Sequence, residues 1–185
     1  MELKSWAVET LAASTVYLFA FFLTFEALMP VQNLFFADFY SSASLMFLPH
    51  GVRVLTAWLL GWRSVIALLP GVFITYAYLG GSNVFLPSRL SGIAISVLAA
   101  PLVFEFVARA FCDIRSGAQT EPCWVCVMGA GILAAIVTGV LTNLAFGSPP
   151  LDYFAFFIGD VLGLFVLMLV LMLVFRFIRL RGKNA

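Results

Sequence analysis

A few charged and polar residues interrupt segments of this chain that are otherwise apolar. His50 and Arg53 lie in one such segment, and Asp160 lies in another. A charge near the centre of a bilayer costs about 2.5 kcal/mol or more, so charges that persist there usually face a protein interior and have partners. Arg53 or protonated His50 is therefore predicted to compensate Asp160 inside a helical bundle.

Other polar residues are predicted to lie at a similar depth in the membrane. With a helical rise of about 1.5 Å per residue, these positions share one half of the bilayer and form a polar cluster open to the periplasmic side. Its members are His50, Arg53, Asp160, Glu26, Asn143 and Thr142. Two interpretations stay open: a ligand-binding pocket, or a structural ion pair in which Arg53 and Asp160 tie two helices together. For His50 alone a structural role is favoured, because no further ligand stands at metal-site spacing.

The remaining motifs give no positive support to catalysis. Cys123 and Cys126 have the spacing of a redox motif, but no βαβ pattern surrounds them and their predicted cytoplasmic side is reducing. The chain has three cysteines, which do not predict a disulfide framework, and a fourth zinc ligand is missing. There is no phosphate-binding loop, zincin motif or recognisable nucleophile with its base. The sequence predicts no enzyme and no metal site, and it specifies no cofactor.

The composition shows which elements must position these residues. Of 185 residues, 63% are hydrophobic and only 10% are charged, whereas soluble domains carry about 25% charged residues. A soluble domain is thereby excluded, and the formal net charge of +1 provides no basic field for a nucleic acid. The predicted fold is an all-α, polytopic transmembrane helical bundle whose main partner is the lipid bilayer.

About six spans result when the sequence is divided into apolar segments of roughly 20 residues. Pro30 is predicted to end the first span, and the aromatic stretch 31–40 is predicted to lie along the membrane surface. The whole chain, residues 1–185, forms a single transmembrane domain in this prediction. The predicted spans are residues 6–29, 41–61, 64–80, 90–111, 123–146 and 153–175.

Proline and glycine predict where the helices break and where they pack closely. The second span is predicted to be kinked or broken, because proline removes a backbone donor and disfavours helix at the residue before it. The predicted breaks are at Pro49, Gly51, Pro70 and Gly71. Small residues spaced by four allow another helix to approach, and the predicted packing positions are Gly159, Gly163, Gly131, Ala135 and Gly139. Residues Glu105, Arg109 and Asp113 are predicted to form a salt-bridge ladder on one helical face.

The distribution of cations predicts the orientation, because Lys and Arg near span ends are retained in the cytoplasm. Arg89 is predicted to lie on the opposite face from most other cations, and Arg53 lies inside a span. Both termini are therefore predicted to be cytoplasmic in a bacterial inner membrane. The cations assigned to the cytoplasmic face are Lys4, Arg63, Arg109, Arg115, Arg176, Arg179, Arg181 and Lys183.

Two segments of the chain resemble the MASE1 family of bacterial membrane-integral sensor domains. Residues 41–81 contain Pro and Gly near the start of a span, a Gly-aromatic-basic turn and a later Pro-Gly pair, and FIGDVLGLFVLMLVL looks like the Gly-Asp-x-x-Gly helix of that family. The matching positions are Pro49, Gly51, Gly61, Trp62, Arg63, Pro70, Gly71, Gly159, Asp160 and Gly163. The resemblance implies a sensory module that passes a signal to a cytoplasmic output domain. Family members usually have more spans and a fused output domain.

Three functions follow as expectations. The first is a sensory or ligand-recognition module that acts through a separate signalling partner or as a homo-oligomer. The second is a small-molecule transport protein, such as the substrate-binding component of an energy-coupled importer, although the first span lacks the Ala-x-x-x-Ala pair typical of such components. The third is an accessory or assembly subunit of a larger membrane complex.

Overall fold

The computed structural model describes residues 2–35, 44–111, 123–147 and 150–182. Every secondary structure element in these ranges is helical, and five helical segments are long and apolar enough to cross a membrane. The prediction of an all-α transmembrane bundle is confirmed. The elements are α1 (Glu2–Phe22), a π-helix (Leu23–Leu28), α2 (Met29–Phe35), α3 (Leu48–Leu60), α4 (Arg63–Gly80), a 3₁₀-helix (Gly81–Phe85), α5 (Pro87–Ala110), α6 (Trp124–Phe146) and α7 (Pro150–Gly182).

The first span does not end at Pro30, as the sequence predicts, because helical structure continues to Phe35. A proline ring normally clashes with the carbonyl four residues earlier in an α-helix. Here a π-helical turn precedes it, and the Met29 N–H donates to the Thr24 carbonyl, five residues back. This wider turn changes the hydrogen-bond register before the proline. Residues 36–40 of the predicted surface segment lie outside the described residues.

Helix α3 is the central helix of the bundle. It has 13 residues, about 20 Å of helix, which is short for a membrane span. All residues from Leu48 to Ala57 are buried, and α3 contacts α1, α4, α5, α6 and α7. The second predicted span is therefore a short internal helix in the described part of the chain. A helix surrounded by protein does not have to match the thickness of the bilayer.

Residues Ser44–Phe47 lead into α3 in a non-helical conformation, against the small-residue face of α7. The Phe47 N–H donates to the Gly159 carbonyl at 2.8 Å, and the Leu45 N–H donates to the Gln32 side chain at 2.7 Å. A Cβ at Gly159 would overlap the Ser44 carbonyl oxygen, and one at Gly163 would overlap the Phe47 carbonyl. The predicted close packing at these glycines thus takes place within the chain. Pro49 lies in the first turn of α3, where its missing N–H is tolerated.

A serine hydroxyl from α1 is inserted into the backbone of α4 at Pro70-Gly71. Ser14 Oγ donates to the Ala67 carbonyl at 2.8 Å and accepts from the Gly71 N–H at 3.1 Å. In a regular α-helix that N–H would bond directly to the carbonyl four residues earlier, which is Ala67. Gly71 also lets α1 approach, because a Cβ there would lie 3.1 Å from the Ser14 backbone. The helix continues through Pro70 with this replacement.

Gly131 and Ala135, two further predicted packing positions, lie where a larger side chain would not fit or would have to displace its neighbours. A Cβ at Gly131 would overlap the Leu164 side chain, and Ala135 is fully buried. Gly51 of α3 faces α7, where a Cβ would lie 2.8 Å from Leu167 Cδ2. These positions allow α3, α6 and α7 to pack closely around the residues described below.

The two ends of the bundle differ in chemistry. At one end, which we call the tryptophan end, lie Trp6, Trp58, Trp62 and Trp124. Arg63 of α4 bonds Glu9 of α1 there at 2.9 Å, and Arg109 bonds Glu105 within α5 at 2.9 Å. Asp113, the third member of the predicted ladder, lies outside the described residues. Tryptophan is enriched where membrane meets water, so this end marks one interface.

Candidate functional site

Helix α3 holds His50 and Arg53 inside the bundle, one turn apart. His50 is 1% exposed, and its Nδ1 lies 3.4 Å from Asp160 Oδ2 of α7. Its Nε2 lies 3.1 Å from the Gly131 carbonyl oxygen of α6. His50 therefore joins α3 to both neighbours, a geometry that also suits a structural histidine.

These contacts determine how many protons the histidine and aspartate share. A backbone carbonyl can only accept a hydrogen bond, so Nε2 of His50 carries a hydrogen. Nδ1 then faces the Asp160 carboxyl, and an unprotonated nitrogen would repel an ionised carboxylate. One additional proton must therefore reside on Nδ1 or on Asp160. In either arrangement the pair has no net charge, and it does not neutralise any other cation nearby.

Arg53 lies beside this pair without a close anion. It is 5% exposed, its Cζ lies 5.5 Å from the centroid of the Phe47 ring, and its buried Nε has no hydrogen-bond partner. Within the described ranges, no carboxylate oxygen lies within 4.0 Å of its guanidinium. Of the two cations predicted to compensate Asp160, the structure therefore places His50 at contact distance, and Arg53 remains available to another group.

A cavity of about 590 Å³ opens next to Arg53 and extends away from the tryptophan end. Its volume falls in the range of about 300–1,000 Å³ that is typical of small-molecule sites. We call this region the cavity end of the bundle. The walls are mostly aromatic and apolar, with polar side chains from several helices. The lining residues are Tyr17, Phe21, Phe25, Met29, Phe47, Arg53, Thr75, Tyr76, Leu79, Arg89, Ser96, Thr138, Gly139, Thr142, Asn143, Phe146, Phe156 and Asp160.

Helix α6 supplies much of the polar wall. Asn143 is 1% exposed, and its Nδ2 donates to the Gly139 carbonyl at 2.7 Å. Its Oδ1 and the Thr142 hydroxyl are buried without hydrogen-bond partners. Gly139, a predicted packing position, does not pack against another helix in the described part of this chain, because a Cβ there would meet no atom within 4 Å. Its missing side chain instead leaves space in the cavity.

The structure does not bring Glu26 into the cavity. This carboxylate is exposed on the π-helical turn and accepts from the Tyr78 hydroxyl at 3.3 Å. The sequence prediction placed it in the polar cluster because its depth in the membrane is similar. Depth does not determine which face of a helix a residue occupies, and the π-turn shifts that face further.

Several cavity residues have no signal in the sequence that would single them out. The hydroxyls of Tyr76 and Ser96 lie 3.3 Å apart, and Tyr17 is buried beside them. Arg89 lies near the start of α5, with its guanidinium 5.1 Å from the centroid of the Phe146 ring. Of these four residues, only Arg89 had a signal in the sequence, because it is predicted to lie on the membrane face opposite most other cations.

The arrangement favours a small anion with an apolar body. Since the His50–Asp160 pair is neutral, Arg53 and Arg89 give the described lining residues of the cavity an excess of positive charge. Buried polar groups without partners are costly, and Arg53 Nε, Asn143 Oδ1 and the Thr142 hydroxyl can all bond a polar ligand. A carboxylate near Arg53 and an aromatic or aliphatic body among the phenylalanines would satisfy both parts of the wall.

Outside the cavity, the structure contains a disulfide bond between Cys123 and Cys126. The sequence did not predict this bond, because no βαβ pattern surrounds the two cysteines and their predicted cytoplasmic side is reducing. Cys112 lies outside the described residues. Within the described ranges, no group of three or more His, Cys, Asp or Glu side chains could hold a metal ion.

Comparison with known proteins assigns no relative to the chain. It matches no protein-family model, no curated protein and no solved structure. The fold and the cavity together define a multi-pass helical membrane protein with a mostly apolar cavity of small-molecule size.

Proposed function

We propose that this protein is a ligand-recognition module of the bacterial inner membrane, similar to MASE1 sensor domains, which binds a small apolar anion and acts through a separate partner. The observation that carries the proposal is Arg53, a buried arginine with an unpartnered Nε at the wall of a 590 Å³ cavity. An uncompensated charge inside a bundle costs several kcal/mol. A bound anion would recover part of that cost.

The position of α3 supports a sensory role for this cavity. The helix that carries Arg53 contacts all five membrane-crossing segments, so an anion that draws Arg53 toward it changes the packing of the whole bundle. A ligand shifts an equilibrium between two packings only by binding them with different affinities. The unpartnered groups on α3 and α6 provide that difference, because they gain partners only when the cavity is occupied.

Three probes with the same phenylbutyl body test the charge requirement: 4-phenylbutyrate, 4-phenylbutanol and 4-phenylbutylamine. Binding to the purified protein in lipid nanodiscs is measured by saturation-transfer NMR and by the shift in thermal unfolding temperature. We expect the carboxylate to bind at least about tenfold more tightly than the alcohol, since a hydrogen bond to a charged group contributes about 1.5–3 kcal/mol. The amine should not bind detectably.

The matched variants are Arg53→Gln and Arg63→Gln, which remove the same charge at the two ends of the bundle. Arg53→Gln should abolish the preference for the carboxylate, whereas Arg63→Gln should leave it unchanged because Arg63 pairs with Glu9 far from the cavity. Equal binding of all three probes, or loss of the preference in both variants, would contradict the proposal.

A transport function is the second candidate, and the non-helical residues Ser44–Phe47 favour it. Broken helices at membrane depth are a feature of many transporters, in which they line the substrate site. The two candidates differ in one measurement, the uptake of radiolabelled 4-phenylbutyrate into proteoliposomes above the rate for protein-free liposomes. A sensor binds the probe without accumulating it, and a transporter accumulates it in an Arg53-dependent manner.

A further inference from the structure

The Cys123–Cys126 pair lies at the start of α6, far along that helix from the cavity residues Thr142 and Asn143. Cys123 is the N-cap residue, and its Sγ accepts a hydrogen bond from the Cys126 N–H at 3.3 Å. The residues between them are exposed, Trp124 at 45% and Val125 at 82%. Cys123 and Cys126 are themselves half-buried, so the pair lies at the edge of the bundle with part of its surface exposed.

This disulfide does not join two elements of the fold. It closes a loop with a sequence separation of 3, entirely within the first turn of one helix. Disulfides stabilise a fold largely by restricting the unfolded chain, and the effect is smallest for short loops. The fully packed contacts of α6 with the core are made by residues further along the helix, such as Val127, Ala130 and Ala134, and Cys126 adds to them as a half-buried side chain whether or not it is oxidised. A purely structural role therefore explains little.

The position of the pair at the N-terminus of α6 stabilises the thiolates of its reduced form. A helix N-terminus carries a partial positive charge, and N–H groups of the first turn can bond a thiolate. Cys126 packs against the hydrophobic core beside Val127, whereas Cys123 precedes the helix. The geometry thus gives the two sulfurs different environments, with Cys123 as the thiolate that reacts with external partners and Cys126 as the sulfur that closes the ring.

We propose that Cys123 and Cys126 form a reversible thiol–disulfide couple that responds to the thiol pool at the tryptophan end of the bundle. In reduction, the thiolate of a glutathione-class monothiol attacks Sγ of Cys123, and Cys126 leaves as a thiolate and takes up a proton. A second monothiol attacks the sulfur of the mixed disulfide that came from the first monothiol, and Cys123 is released as a thiolate. Two electrons pass to the pair, and the reductant leaves as its disulfide.

The location of the couple agrees with reversible use. The tryptophan end carries Arg63 and Arg109, and the distribution of cations predicts that this face is cytoplasmic. Disulfides that form in a reducing compartment are usually transient and catalytic or redox-sensing. The couple is independent of the cavity ligand, so its test does not rely on the proposed function.

The test is a redox titration of the full chain carrying Cys112→Ser, in lipid nanodiscs. Samples are equilibrated with increasing ratios of reduced to oxidised glutathione, quenched with acid and labelled with a polymer-linked maleimide that retards each modified thiol on a gel. We expect the fraction with two labels to rise from near zero to near one within the series. Two labels at every ratio, or none at every ratio, would overturn the proposal.

Two controls refine the assignment. The chain that retains Cys112 should show the same transition of the Cys123–Cys126 pair by mass spectrometry, and a transition that requires Cys112 would overturn the pairing. The single-cysteine variants, Cys126→Ser and Cys123→Ser in the Cys112→Ser background, are then alkylated with iodoacetamide at neutral pH. We expect Cys123 to react about tenfold faster than Cys126, and equal rates would refute its role as the external nucleophile.

Trp124 provides an optical readout, because disulfides quench the fluorescence of an adjacent indole. Its ring centroid lies 5.5 Å from that of Trp58, so the measurement is made in a Trp58→Phe background. Emission should increase with the fraction of double-labelled protein along the same titration.

Discussion

The two ends of the bundle use arginine in opposite ways. At the tryptophan end, Arg63 bonds Glu9 at 2.9 Å and its guanidinium lies 4.3 Å from the centroid of the Trp6 ring. At the cavity end, Arg53 also lies over an aromatic ring, that of Phe47, but the nearest carboxyl belongs to a pair that is already neutral. The first arginine has a carboxylate partner at the surface, and the second is buried and has none among the residues that the structure describes.

The two arginines therefore differ in what they contribute to stability and to ligand binding. A surface ion pair contributes about 0–1 kcal/mol, so the pairs at the tryptophan end can be lost with little effect. A buried charge without a partner is destabilising until something binds it. The buried Arg53 charge is therefore both costly to the fold and usable by a ligand, and it lies at the cavity end. Arg63 Nε at the tryptophan end is also buried without a hydrogen-bond partner, but the guanidinium of Arg63 pairs with Glu9.

The largest expected effect is that of Asp160→Ala. This change leaves His50 without the carboxyl that shares its proton, and breaking a buried pair costs about 3–5 kcal/mol. Asp160→Asn should cost much less, because an amide N–H can donate to Nδ1 of the neutral histidine. Thermal unfolding followed by loss of the monomeric peak in size-exclusion chromatography measures both. Equal losses for the two variants would show that the shared proton is unimportant.

A smaller effect is expected from adding a methyl group where α7 meets the segment before α3. Gly163→Ala should destabilise the fold by about 1–3 kcal/mol, because the new Cβ overlaps the Phe47 carbonyl and the backbone must move. Gly139→Ala is the matched control in open cavity space and should leave the unfolding temperature unchanged. If Gly139→Ala proved as harmful, the cavity described here would be filled in solution.

Two serines of α1 allow a buried hydroxyl to be compared with an exposed one. Ser14→Ala removes the hydroxyl inserted at Gly71 together with both of its hydrogen bonds, and it should cost about 2 kcal/mol, at roughly 1 kcal/mol for each bond. Ser5→Ala, near the tryptophan end, removes only an exposed bond to Glu9 and should have no measurable effect. The same chromatographic assay compares them. Indistinguishable variants would mean that α4 re-forms its own Gly71–Ala67 bond without loss.

The smallest effect is expected from Arg109→Gln at the tryptophan end. The Arg109 side chain is 79% exposed and pairs with Glu105 one helical turn away. Such pairs contribute about 0.3–0.5 kcal/mol, and salt screens them. The difference from the original protein should therefore disappear at about 1 M salt. A persistent difference in unfolding temperature at high salt would indicate that Arg109 has a structural role.

The sequence predicts the outer helices well and the central one poorly. α4, α5 and α6 begin and end within a few residues of the predicted spans, because long apolar runs are bounded by Gly, Pro and polar turns. α3 is equally apolar, and burial in protein has the same signature as burial in lipid. One available signal is that His50, Arg53 and Thr56, spaced by three, place polar groups along one side of an otherwise apolar helix.

The candidate site is predictable only in part, for a similar reason. A charge in an apolar segment is visible locally, and this identifies His50, Arg53 and Asp160. Which of them pair depends on the rotation of α3 between α6 and α7, which no local pattern specifies. Tyr17, Tyr76 and Ser96 are ordinary residues of apolar helices until the fold turns them toward the same space. The register change at the π-turn likewise moves Glu26 to an exposed face.

The hydroxyl of Ser14 also constrains how the bundle can move. It occupies a place in the hydrogen-bond ladder of α4, between the Ala67 carbonyl and the Gly71 N–H. If α1 slid along α4 by a single residue, both groups would lose their bond at once, inside a dry interior. α1 and α4 are therefore expected to move together, and a rearrangement that opens the cavity is expected at the contacts that this pair makes with α3 and α5.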